Sequence, residues 1–183
     1  MKRIHTIFGF AILLMAMLQS CSTTEYDENL RIAFGTMEVI YKDSDKVSQS
    51  MKKLFGSYLG NFDEYDEYDD GQDALAERAY KQYDALEKEG VIQRIADNIN
   101  LLHSQSASLK NPPLLRRDCH NDFIRLASQI CQYGEETSRR LSMRTDSSLD
   151  VLLFIDDSST ESINSMMNDF KLKYADILYA KEN

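Results

Sequence analysis

Tryptophan is absent from the 183-residue chain, proline occurs twice and glycine seven times. The lack of Trp counts against sugar-stacking sites, which use broad aromatic faces. Scarcity of Pro and Gly removes the usual helix breakers. Ala, Leu, Met, Lys and Glu, all good helix formers, fill the long mixed segments. Strict apolar–polar alternation of Val, Ile and Thr is missing as well, so the pattern predicts an all-α domain. The chain holds no Gly-rich phosphate loop, no G-x-S-x-G and no H-E-x-x-H. Its length still allows one domain to bury a core without disulfides or metals.

An excess of positive charge is also lacking. Lys and Arg number 21 against 30 Asp and Glu, a formal balance of −9. Such acidity argues against nucleic acid and against adsorption to anionic lipid, and it permits a basic protein partner.

The N-terminus has three parts: a basic start (Lys2, Arg3), a 12-residue uncharged run from Ile7 to Leu18, and the small-residue junction Ser20-Cys21. As a helix the run spans about 18 Å, short of the roughly 30 Å hydrocarbon core. A secretory signal fits that length better than a membrane anchor.

The junction Leu18-Gln19-Ser20-Cys21 resembles the lipobox of bacterial lipoproteins. Leu18 matches the apolar position, Ser20 the small residue before the cut and Cys21 the acylated residue; Gln19 departs from the usual small or apolar type. The resemblance implies cleavage between Ser20 and Cys21, diacylglycerol on the Cys21 thiol and acylation of its amine. Several acyl chains give an anchoring that one chain cannot. Ser22 in place of Asp implies sorting to the outer membrane. Glu25, Asp27 and Glu28 are similar to the acidic tethers of surface-exposed lipoproteins in Bacteroidota. Loss of residues 1–20 leaves 19 basic and 30 acidic residues, a balance of −11.

Three regions follow: a signal peptide over 1–20, a lipidated cysteine with a polar tether over 21–28, and a helical domain over 29–183. The first helix carries an apolar stripe through Leu30, Phe34, Met37, Tyr41, Ser44, Ser48, Met51, Phe55, Tyr58 and Phe62, widened by Ile40, Val47 and Leu54. Six of the ten residues from Asn61 to Asp70 are acidic, which disfavours continued helix. Gly71 offers a turn and Asp73 a helix cap. The second helix, from about Ala74 to Ser108, changes phase near Gly90, where a kink or short break is expected. Asn111-Pro112-Pro113 ends it and starts a third helix carrying Leu115, Cys119, Phe123, Leu126, Ile130 and Tyr133. A fourth begins near Asp146. Leu149, Leu152, Ile163, Met166, Phe170 and Ile177 share one phase and favour a single long helix; Ser158-x-x-Glu161 offers a new start instead. Four such segments predict an antiparallel up-down four-helix bundle.

Candidate chemistry is sparse. Asp66, Asp70, Gly71 and Glu77 match places 1, 5, 6 and 12 of a calcium loop, but Tyr68 stands at a ligand place and Asp73 at the apolar one. A solvated turn explains the segment better, and no metal is expected. Tyr65, Tyr68 and Asp69 suit contact with a basic protein. His103 and His120 flank the Asn111-Pro112 turn at similar heights, with Asp118 and Cys119 nearby, as a zinc or Cys-His site requires. Cys119 lies on the apolar stripe, however, where a thiol is an ordinary small hydrophobe. Twelve residues of helix part Cys119 from Cys131, about 18 Å against the roughly 6 Å a disulfide allows. The Arg116-Arg117, Glu135-Glu136 and Arg139-Arg140 pairs suit solvated faces. The functional expectation is a non-catalytic envelope lipoprotein, held by lipid on Cys21, needing no cofactor and contacting an unknown protein partner. A small-molecule or calcium binder and an immunity-type inhibitor of a basic toxin are the alternatives.

Overall fold

A computed structural model describes the backbone of residues 2–59, 68–143 and 157–180, and side chains over 23–54, 77–141 and 160–180. Within these residues the chain is all-helical and contains no strand. Six α-helices occur: α1 (Lys2–Leu59), α2 (Tyr68–Lys88), α3 (Val91–Ser108), α4 (Arg117–Met143), α5 (Asp157–Lys173) and α6 (Ala175–Leu178). A 3-10 turn, Leu114–Arg116, leads into α4.

Over the described side chains the stripe expected on the first helix is the buried seam of α1, with Tyr41 and Leu54 only partly buried; the side chains of Phe55 and Tyr58, and Phe62, lie outside the described residues. Tyr26, Leu30, Ala33, Met37, Ile40, Ser44, Val47 and Met51 are buried at alternating steps of four and three. That repeat keeps one face turned to its neighbours. The Ser44 hydroxyl interrupts the seam and has no hydrogen-bond partner among the described residues. The seam begins earlier than Leu30, and residues 22–28 are helical. The polar tether expected there is corrected: Tyr26 packs in the core and extends the helix toward the N-terminus.

Gly90 breaks the second predicted helix, as its change of phase implied. It adopts a left-handed conformation at φ 69°, which glycine tolerates without the steric cost of a Cβ. Its N–H donates to the Glu87 carbonyl at 2.8 Å, and its own carbonyl accepts from Arg94 N–H at 3.0 Å. The turn moves the buried stripe from Ala79, Tyr83 and Leu86 to Val91, Ile95, Ile99 and Leu102. Helix α2 starts at Tyr68, so Gly71 and Asp73 lie inside it rather than at a turn and a cap.

At the next turn Pro112 and Pro113 delay the α-helix to Arg117. Leu115, expected on the core stripe, is instead 82% exposed. From there α4 buries Cys119, Phe123, Leu126, Ile130, Thr137 and Leu141 and runs to Met143, beyond Tyr133, the last stripe position expected from the sequence. Helix α5 buries Ile163, Met167 and Phe170, with Met166 only partly covered. The chain leaves the helix at Tyr174 before α6. One unbroken helix to residue 180 is therefore corrected, while the beginning of the fourth segment lies outside the described residues.

Helix α1 packs on α3 and α4, which also pack on each other; α2 covers α1 and α3, and α5 covers α4. The three central helices converge on Gly134. A Cβ there would lie 2.9 Å from Ile40 Cγ2, 3.1 Å from Ile95 Cγ2 and 3.1 Å from Ile99 Cδ1. These atoms belong to β-branched side chains with few alternative rotamers. Phe170 fixes α5 to the same core, stacked on Phe34 at 5.3 Å and tilted against Phe123 at 6.4 Å.

The Gly134 contact predicts that Gly134→Val destabilises the fold by about 1–3 kcal/mol through overpacking. Gly35 is a matched helical control with open space around its Cα. There Gly35→Ala should stabilise by about 0.5–1 kcal/mol. Denaturant unfolding of both variants checks the opposite signs.

Candidate functional site

Where the described side chains of α1 begin, around Tyr26 and Asp27, lies a cluster of paired polar groups. Arg116 binds Asp27 with both nitrogens, Nε to Oδ1 at 2.7 Å and Nη2 to Oδ2 at 2.8 Å. Both side chains are mostly covered, at 23% and 16% exposure. One turn along α4, His120 Nδ1 shares a 3.0 Å hydrogen bond with the Tyr26 hydroxyl. Arg31 Nη1 reaches the Ala180 carbonyl at 3.4 Å, which brings the end of α6 to the same place.

The electrostatics of this cluster favour neutral side chains around one charged pair. Burial, reinforced by Cys119 and Asp27, raises the Tyr26 phenol well above its ordinary range. Burial pushes the Cys119 thiol up to about 12 and lowers His120 below the ordinary imidazole value of 6.5. A protonated thiol is a poor nucleophile and a poor metal ligand. Cys131, buried elsewhere on α4, is pushed up to about 11 by the same cause. The geometry clamps helices together, and it holds the Cys119 thiol and the Tyr26 phenol in their protonated forms.

A second feature is a groove of about 560 Å³ between α1, α4 and α5. Ser48, Gln132, Tyr133, Glu136, Arg140 and Thr160 stand among its lining residues. Thr160 Oγ1 donates to the Tyr133 hydroxyl at 3.3 Å. Glu136 accepts from Arg139 and Arg140, each at 2.7 Å, and these hydrogen bonds hold its carboxyl down to about 2. Most of its lining residues carry polar groups, Glu136 is paired with Arg139 and Arg140, and the volume leaves room for a small molecule.

Most site residues named from sequence are not brought together. Cys21 lies on helical backbone in α1. Asp66 and Tyr65 lie outside the described residues. Tyr68, Asp69 and Asp70 are in the first turn of α2, and Glu77 is exposed on the same helix, paired with Lys81 at 2.7 Å. A calcium loop must wrap non-helical backbone around the ion, so helix from Tyr68 onward corrects that pattern. His103 is exposed, whereas His120 turns to Tyr26. No group of three metal-binding side chains occurs among the described residues. Among the same residues, no helix is long and apolar enough to cross a membrane.

The clamp residues Tyr26, Asp27 and Arg116 were missed. One signal was available: stepping back four from Leu30 reaches Tyr26, so the apolar stripe did not end at Leu30. The Asp27–Arg116 pair spans 89 positions and carries no local pattern. Comparison of the chain with family models, curated proteins and solved structures finds no match.

Asp27→Ala should cost about 1–3 kcal/mol, since it strands a partly buried guanidinium. A double-mutant cycle with Arg116→Ala should return a coupling of at least about 0.5 kcal/mol, and additive effects would refute the clamp. His120 provides a pH test. Its pKa falls on folding, so the neutral ring contributes stability above 6.5 that is lost as pH drops through the lower folded value. Unfolding midpoints should decline from about pH 7 to about pH 5, and His120→Gln should flatten that slope.

Proposed function

We propose that the chain is a membrane-anchored envelope lipoprotein, cleaved after Ser20 and acylated on Cys21, whose helical domain is a non-catalytic protein-interaction or structural module. The observation that carries this reading is the position of the Leu18-Gln19-Ser20-Cys21 junction. Cys21 precedes Tyr26, the first buried residue of the described side chains, by five positions. Cleavage there removes the apolar leader and leaves every described core residue in place. The bacterial outer membrane remains the proposed location, with an unknown protein as partner and no cofactor beyond the covalent lipid.

The domain itself is proposed to be an antiparallel up-down four-rod bundle, with α2 and α3 as one bent rod and α5 and α6 as another. The order of contacts supports it. Along α1, Asp43 binds Arg94 and Lys46 binds Glu89, so the second rod runs against the first. Tyr26 meets His120 and Ile40 approaches Gly134, so α4 runs with α1. Tyr133 meets Thr160 and Asp122 meets Lys173, so α5 runs against α4. The mechanism is presentation: lipid localises the bundle, and an exposed helix face or the acidic 61–73 segment makes contact. A small-molecule binder is the second reading, and the polar groove beside Tyr133 and Glu136 favours it.

Membrane fractionation of bacteria expressing the full chain tests attachment. Wild type should sediment with membranes and carry lipid on its N-terminal peptide. Cys21→Ala should be found in the soluble fraction; a variant that stays membrane-bound overturns the reading.

A further inference from the structure

Leu114 and Leu115 are 70% and 82% exposed, side by side on the 3-10 turn between α3 and α4. Two adjacent leucines left in water on a proline-stiffened turn call for an occupant. Their place in the fold identifies it. Arg116, the next residue, is bound through two hydrogen bonds to Asp27 of α1. Asp27 stands six residues beyond Cys21, about 9 Å along a helix. The turn is thus tied to the segment next to the point of lipid attachment.

We infer that this turn is a second membrane contact, in which Leu114 and Leu115 enter the interface of the phospholipid bilayer that holds Cys21. The inference rests on the attachment reading and adds an orientation to it. Exposed Lys110 and Arg117 flank the turn, with Asp118, Glu25 and Glu28 exposed at the same end, so the leucines and not net charge would carry the contact. The clamp holds the leucines in place beforehand, so little order is lost on insertion. With this end on the bilayer, α1 points away from it. The end of α1 at Leu59 is 38 residues from Cys21, about 57 Å along the helix.

The absence of Trp from the chain supplies a direct test. Leu115→Trp places one fluorophore on the turn. Lys88→Trp places one at the exposed end of α2, whose neighbour Glu89 pairs with Lys46 of α1. Lys46 is 19 residues beyond Asp27, about 28 Å along α1. Each full-length lipidated variant is reconstituted into phosphatidylethanolamine–phosphatidylglycerol vesicles with plain or brominated acyl chains. The expected result is blue-shifted emission, quenched by brominated lipid, for Leu115→Trp, and neither effect for Lys88→Trp. Blue-shifted emission without quenching means that a second protein copy covers the turn, and overturns the contact. Equal quenching of both variants overturns the end-on orientation. Flotation and the mass of the N-terminal peptide are read on the same samples. Flotation with unquenched Leu115→Trp leaves attachment standing and refutes the contact. No lipid on Cys21 and no flotation refutes attachment and the contact with it.

Discussion

At Gly134 three helices pack with no space for a side chain, and the arrangement of the core depends on that approach. With no Cβ, α4 sits against Ile40 of α1 and both Ile95 and Ile99 of α3. Native cores are packed densely enough that one methyl group is felt. The contact therefore sets both the separation and the register of the central helices. Everything outside follows from it: α2 covers α1 and α3, and Phe170 locks α5 against Phe34 and Phe123. A glycine inside a helix ordinarily weakens it by about 1 kcal/mol relative to alanine. Here the three isoleucines leave a side chain no room, so the local loss is offset by the packing it permits.

The two ends of this core differ. Near Tyr133 the surface between α1, α4 and α5 opens into a groove where Glu136 is paired with Arg139 and Arg140. Near Tyr26 helix α1 closes on the 3-10 turn and α4 through a covered ion pair and a Tyr–His hydrogen bond. The closed end lies next to Cys21 and exposes two leucines. A domain hung by its lipid on a loose tether would tumble over the membrane. Under the attachment proposed at Cys21, a helix clamped six residues beyond that cysteine would restrain the orientation of the domain instead. Asp27 thereby changes role: an acidic residue of a supposed tether becomes the partner that holds α4 in place.

Helical periodicity was the most legible signal. The seam of α1, the phase break at Gly90 and the apolar positions of α4 follow from spacing alone, because burial repeats with the helical turn. Legibility failed where one residue type had two uses. Pro112 and Pro113 can open an α-helix or hold a 3-10 turn, and the second choice put Leu115 in water. The acidic stretch around Asp70 reads locally as a loop, yet α2 begins at Tyr68 and passes through Gly71. Packing farther along that helix, at Ala79, Tyr83 and Leu86, outweighs the local preference.

The sequence by itself determined the helical class, the seams of its helices, the acidic balance and the candidate processing junction at Cys21. These are properties of neighbours along the chain, or of composition, and they need no knowledge of what lies opposite. Only the tertiary structure decided which polar residues are buried in pairs, which leucines remain exposed and where three helices touch. Asp27 and Arg116 stand 89 positions apart. Gly134 meets isoleucines from two other helices. Such contacts arise when distant segments are packed together, and no local periodicity encodes them.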